Sequence, residues 1–128
     1  MQVSRNKSKY KGLKRVIYSA KYSLDGLVYA YAHEHSLWIH GVISTIIIIL
    51  GLLFGLSHNQ WGIILITLAV VLAFELVNTA IEAVVDMVTL EYNELARVAK
   101  DCSSAATFVM TMCGFVIYGP KFLALFGL

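Results

Sequence analysis

The sequence predicts an all-α membrane protein, with an N-terminal amphipathic surface helix followed by three transmembrane helices. Three observations carry this. The chain has 128 residues, of which 59% are hydrophobic and only 14% charged, whereas soluble domains average roughly 25% charged residues. Residues 36–56, 61–86 and 102–126 form apolar runs long enough to cross a bilayer. Ahead of them, apolar residues recur at spacings of three and four over 12–33, the period of a helix with one greasy face. The length allows one domain spanning residues 1–128.

Residues 1–11 are a basic tail. They do not read as a signal peptide, because Lys21 is well separated from the apolar run at Ser36 and no short run is followed by a small-residue cleavage site; the segment is expected to be retained. In the surface helix, Leu13, Val16, Ile17, Ala20, Leu24, Leu27, Val28 and Tyr31 share a face, and Lys14, Lys21 and Asp25 lie at other angles. Its basic residues suit anionic lipid headgroups or a nucleotide's phosphates, and anchoring at the interface alone is an equal alternative.

The first span contains the run Ile46-Ile47-Ile48-Ile49-Leu50. Ser57-His58-Asn59-Gln60 reads as a tight hairpin turn into the second span. The third span is the weakest, diluted by Ser103, Ser104, Thr107 and Thr111. Orientation follows from the basic residues. Of the ten, Arg5, Lys7, Lys9, Lys11, Lys14, Arg15 and Lys21 precede the first span, Arg97 and Lys100 separate the second from the third, and Lys121 follows the third. The positive-inside rule then puts the N-terminus and the 87–101 loop in the cytoplasm, with the Ser57 turn and the C-terminus outside.

Chemistry concentrates at the end of the second span. A helical wheel that sets Glu75 at zero puts Asn78 near 300°, Thr79 near 40°, Glu82 near 340° and Asp86 near 20°, so five polar side chains share an arc of about 100°. Carboxylates at membrane depth cost roughly 2.5–3.5 kcal/mol each on insertion scales, so the stripe needs a partner: a cation, a phosphate or a proton. If the span enters near Trp61, Glu75 lies about 21 Å along it and Glu82 about 31 Å, against a hydrocarbon thickness of roughly 30 Å. Glu75 is then expected in the inner leaflet and Glu82 at headgroup level, where a lipid's polar head meets a cytosolic cosubstrate. Glu34 ends the surface helix at the same level, and the following loop supplies Glu91, Tyr92, Asn93, Glu94, Lys100 and Asp101.

Carboxylates from two segments plus a lysine match what phosphoryl transfer asks for: oxygen ligands for Mg²⁺, a base at the attacking hydroxyl and a cation for the γ-phosphate. No GxxxxGK[ST] or GxGxxG loop occurs, so a nucleotide site has to be built otherwise. The run Glu75-Leu-Val-Asn-Thr-Ala-Ile-Glu-Ala-Val-Val-Asp86, followed by Glu91-Tyr-Asn-Glu-Leu-Ala and Ala99-Lys-Asp101, resembles the signature of the small prokaryotic diacylglycerol kinase and undecaprenol kinase family. The likeness extends upstream to Arg15, Tyr22-Ser23, Gly26-Leu27 and Glu34, and so covers about residues 15–106.

The resemblance implies a homotrimer of three-span subunits that uses MgATP to phosphorylate a lipid hydroxyl at the prokaryotic inner membrane. It implies that Glu75 is the catalytic base, that Asn78 orients the reacting groups, and that Glu34 and Glu82 hold Mg²⁺. Lys100 would meet the γ-phosphate, with Arg15, Tyr22, Glu91, Tyr92, Asn93 and Asp101 around the nucleotide. Arg15, Glu75 and Ser104 would face the lipid. Members commonly carry His where this chain has Asn93. Asn78-Thr79-Ala80, His40 and Ile117-Tyr-Gly-Pro-Lys121 look more like the undecaprenol branch. Glu91-Tyr92, Glu94-Leu95 and Ser103-Ser104-Ala105-Ala106 look as much like the diacylglycerol branch, and undecaprenol is slightly favoured. The expected partners are thus a membrane lipid alcohol and MgATP, with no nucleic acid.

Other residues have plainer readings. Cys102 and Cys113 are expected as packing residues rather than ligands, and one helix separates them too far for a disulfide. His33, His35 and His40 could extend a metal site, although interfacial histidines are usually only solvated. Trp38 and Trp61 fit interfacial aromatic belts, and Gly51 and Gly55 form a GxxxG that can let helices approach. The competing class is a small proton-coupled transporter, for which four spans and an isolated mid-membrane acid are expected.

Overall fold

The structure, a computed structural model, describes residues 11–125, without the side chains of Lys121 and Leu125. Residues 1–10 of the basic tail, the Lys121 side chain and the expected end of the third span at Phe126 lie outside the described residues. Four helices follow in order, α1 (Leu13–His33), α2 (His35–Leu53), α3 (His58–Val88) and α4 (Glu94–Leu125), and no strand occurs among the described residues. The last three are long and apolar enough to cross a membrane. The chain divides into two compact units, one ending at His33 and one beginning at Glu34.

In the first unit, α1 follows Gly12, whose φ of +60° is the left-handed region that glycine tolerates, and whose carbonyl accepts the Arg15 N–H at 3.0 Å. Its apolar face is exposed along the chain: Leu13, Val16, Ile17, Leu24 and Val28 are each more than half accessible. An apolar stripe left open in this way is the pattern of a helix that lies on a lipid surface.

The second unit begins with Glu34 in extended conformation, which breaks the chain between α1 and α2. α2 ends at Leu53 rather than at Leu56, and the ending has a local cause. Gly55 takes φ +63°, the Phe54 N–H bonds the Leu50 carbonyl, and the Leu56 N–H reaches back to the Gly51 carbonyl at 3.2 Å, the return bond of a Schellman ending. Gly51 and Gly55 thus act in different ways. Gly55 stops the helix. A Cβ on Gly51 would come within 2.9 Å of both Leu56 and Trp61, so its bare backbone is what admits the Trp61 ring of α3.

His58, Asn59 and Gln60 are not a turn but the first residues of α3. Ser57 caps them reciprocally: its hydroxyl accepts the Gln60 N–H, and the Gln60 side chain accepts the Ser57 N–H at 2.8 Å. With 31 residues, α3 is about 46 Å long, which exceeds a hydrocarbon core of roughly 30 Å. α4 starts at Glu94 rather than Cys102, because Asn93 caps it: its Oδ1 accepts the Leu95 and Ala96 N–H groups at 2.9 and 3.2 Å. Much of the expected loop is therefore helix.

α3 is central and packs on α4 more extensively than on α2. Ile64 and Val71 of α3 and Leu37 of α2 are buried, and the same α3 seam continues into buried Glu75, Asn78 and Thr79. On α4 the buried positions are polar, Ser103 and Thr107, and Gly114 lets the Thr67 methyl approach. That explains the weak apolar signal of the third span, since part of its polar content faces α3 instead of lipid. Cys102 and Cys113 are free thiols and both are exposed, not packed inside.

Candidate active site on the polar seam of α3

Two helices divide the α3 stripe between them. Glu75, 5% exposed, belongs to α2. Its Oε2 accepts the Ser36 hydroxyl at 2.8 Å, and its Oε1 lies 3.0 Å from His40 Nε2. Ser36 and His40 are four residues apart and so project from one face of α2. A buried carboxylate without partners is costly in a membrane, and here each oxygen has one. Ser36 escaped the sequence reading. His40 is not simply solvated, with 21% of its side chain accessible. The i, i+4 pair of polar residues at the start of an otherwise apolar helix was the signal available.

One turn further on, the partner is α4. Asn78 Nδ2 donates to Glu82 Oε1 at 2.9 Å, and Asn78 Oδ1 lies 2.6 Å from the Ser103 hydroxyl. Ser103 also stands 2.9 Å from the Lys100 carbonyl, and its single proton serves one acceptor at a time. Asn78 is thus held in a fixed sense, amide toward Glu82 and carbonyl toward α4. Thr79 satisfies its own hydroxyl on the Glu75 carbonyl. Ser104, the expected lipid contact, is exposed, because neighbouring helical positions differ by about 100° and Ser103 takes the inward one.

At the open end of the stripe Lys100 Nζ contacts Asp86 at 2.6 Å, and the charges of Glu82 and Glu34 add to the negative field around it. The cation named for a γ-phosphate is therefore paired with the stripe's outermost acid. Asp101 is paired with Arg97, which also bridges to Glu94, and the Tyr92 hydroxyl donates to Glu94 at 2.6 Å. Glu91 and Tyr92 are exposed. Asn93, in the place where His is common, uses its side chain to cap α4. Arg15 and Tyr22 belong to the α1 unit, where a helical wheel puts both about 180–200° from Leu13, on the face opposite the apolar one. The structure so brings together Glu75, Asn78, Glu82 and Lys100, the last with Glu34 in electrostatic range.

Mg²⁺ takes oxygen ligands and is commonly held by one or two carboxylates, with water and substrate phosphates completing its shell. Among the described residues no group of three His, Cys, Asp or Glu forms a closed metal cage. Glu82 has one oxygen engaged by Asn78 and stands with Glu34 around Lys100. Hard oxygen donors in that number fit a metal that arrives with a polyphosphate rather than one bound in advance.

The model of the prokaryotic diacylglycerol kinase family matches residues 21–120. The chain belongs to the prokaryotic diacylglycerol kinase family. A diacylglycerol kinase of Helicobacter pylori is 31% identical over 118 residues, 92% of each chain. One from Pseudomonas aeruginosa is 36% identical over 98 residues, 77% of this chain and 80% of its own. An undecaprenol kinase of Bacillus subtilis is 35% identical over 92 residues, 69% of this chain and 75% of its own. Membership makes the protein a lipid kinase and removes the transporter alternative. The matched region of the diacylglycerol kinase family holds every residue of the stripe, all of α2, and α4 as far as Pro120.

Proposed function

We propose that this chain is an ATP-dependent undecaprenol kinase of a prokaryotic plasma membrane, active as a homotrimer, with its N-terminus cytoplasmic and its C-terminus outside. The observation that carries the kinase site is the position of Glu75, where the α3 seam turns from apolar to polar: a buried carboxylate there can meet a lipid hydroxyl from the membrane side. The charged groups Glu82, Asp86 and Lys100 lie beyond it, where a nucleotide can reach them. The preference for undecaprenol rests on the resemblance of Asn78-Thr79-Ala80 and His40 to that branch, and His40 lies against Glu75. A second reading, diacylglycerol as substrate, is favoured by the names of most of the similar proteins.

The lipid's primary hydroxyl attacks the γ-phosphorus, its proton passes to Glu75, and the bond to the bridging oxygen breaks, releasing ADP. Such transition states are loose, so positioning and electrostatics supply most of the acceleration. Lys100 exchanges Asp86 for the γ-phosphate, Asn78 keeps Glu82 in place, and Glu91, Tyr92, Asn93 and Asp101 line the nucleotide's approach, with Ser104 toward the lipid; Arg15 and Tyr22 are assigned to the nucleotide by the resemblance alone. Glu34 and Glu82 would hold Mg²⁺, whose chemistry is to neutralise the polyphosphate charge.

Purified protein in mixed micelles, given labelled ATP and either undecaprenol or diacylglycerol, tests the proposal. Undecaprenyl phosphate should form at a kcat/KM at least about tenfold above that for diacylglycerol, about 1.4 kcal/mol of discrimination. The reverse ratio establishes the second reading, and no phosphorylation of either lipid sinks both.

A further inference from the structure

Glu75 is held by two side chains of α2 that differ in kind. Ser36 offers a small hydroxyl at Oε2, and His40 offers a rigid ring at Oε1. The last torsion of a glutamate is broad and roughly two-fold, so a carboxylate held at one oxygen only can swing and present either face. A second hold fixes its plane.

We propose that His40 is the positioning residue of the transfer step: it anchors Oε1 of Glu75 so that Oε2, the oxygen occupied by the Ser36 hydroxyl, is the one that takes the substrate proton. The inference rests on the reading of Glu75 as the base. Ser36 shows that Oε2 accepts an aliphatic hydroxyl at 2.8 Å, and a primary lipid alcohol presents the same O–H group. It can take that place while His40 stays put. The step balances: the lipid O–H bond breaks, its proton goes to Oε2, the oxygen forms a bond to the γ-phosphorus, and ADP leaves with the electron pair of the broken P–O bond. His40 exchanges no atom and touches neither substrate.

Two features separate this from simple packing. Both of these α2 residues reach the same carboxylate from one helix face, and Glu75 is the side chain that His40 bonds across helices. The His40 side chain is also 21% accessible, more than a residue needed to fill a core would be.

Steady-state kinetics of His40→Leu, His40→Gln, Glu75→Gln and the double variant Glu75→Gln/His40→Leu test the assignment. His40→Leu should lower kcat by about 10–100-fold, the scale of a misplaced reacting group, with KM for ATP within about twofold of the parent. His40→Gln, which keeps an N–H donor of similar reach, should recover most of that loss. In the Glu75→Gln background the His40→Leu change should cost nothing more, because residues that act as a unit are not additive. If His40→Leu keeps full kcat while Glu75→Gln is inactive, the inference falls and the base stands. If Glu75→Gln itself turns over normally, the base reading falls instead. An equal loss from His40→Leu in both backgrounds assigns the histidine to structure and overturns the proposal. Should the leucine variant not fold, His40→Asn, polar but too short to reach Oε1, takes its place with the same expectations.

Discussion

Glu75 and Asp86 lie on the same stripe of the same helix, three turns apart, and they are held in opposite ways. Glu75 is 5% exposed and is held by a serine and a histidine of α2. Asp86 is exposed, with 49% of its side chain accessible, and is paired with Lys100 of α4. Burial makes the first hold expensive to lose, because an unpaired charge in a low-dielectric site has no water to fall back on. Exposure makes the second exchangeable, since water and salt compete for both partners. The proposed site needs both properties: a base that does not move, and a cation that can leave its partner for a phosphate.

The largest effect expected from breaking this contrast is at Glu75. Glu75→Gln should lower lipid phosphorylation by about 10²–10⁴-fold, the range of a lost general base. Its thermal stability in detergent should hold or rise, because a neutral amide is less costly than a carboxylate at membrane depth. Activity lost together with a large fall in melting temperature would mean that Glu75 serves the fold, and the comparison would lose its buried half.

Ser103 tests the link between the two ends. Ser103→Ala leaves the buried Asn78 carbonyl without its α4 donor, which should destabilise the protein by about 1–3 kcal/mol. The amide is then free to rotate, and the fall in kcat should exceed any change in KM for ATP. Thermal unfolding beside kinetics checks both parts. An unchanged melting temperature would show that the 2.6 Å contact contributes no net stability.

Much of this was legible in the sequence, and the misses share a cause. The helical wheel put Glu75, Asn78, Thr79, Glu82 and Asp86 on one face, and that face is buried at Glu75, Asn78 and Thr79 and opens outward at Asp86. The amphipathic α1 and three apolar helices followed from period and length alone. Helix ends were misread wherever capping chemistry decided them: Ser57 with Gln60, Gly55, and Asn93, each a short-range hydrogen-bond device weaker as a signal than an apolar run. The partners Ser36, His40 and Ser103 were not legible as such, since a wheel gives the angle of a residue on its own helix but not which neighbour stands opposite. Ser103 and Ser104 illustrate it, identical residues side by side of which packing selects one.

Asp86 gives the smallest expected effect and the sharpest reading of the exchangeable end. Its carboxylate holds Lys100 at 2.6 Å, so in the proposed role of Lys100 a γ-phosphate has to draw the ammonium away from it. Asp86→Asn removes the competing charge but keeps a polar side chain of the same size. KM for ATP should then fall by about two- to threefold, with kcat nearly unchanged, the modest size following from how little exposed ion pairs contribute. Salt separates this from a structural effect: raising ionic strength should narrow the gap between parent and variant, because screening weakens the parent's pair and leaves the amide indifferent. A rise in KM instead would mean that Asp86 presents Lys100 to the nucleotide rather than withholding it, and both ends of the stripe would then be rigid parts of one site.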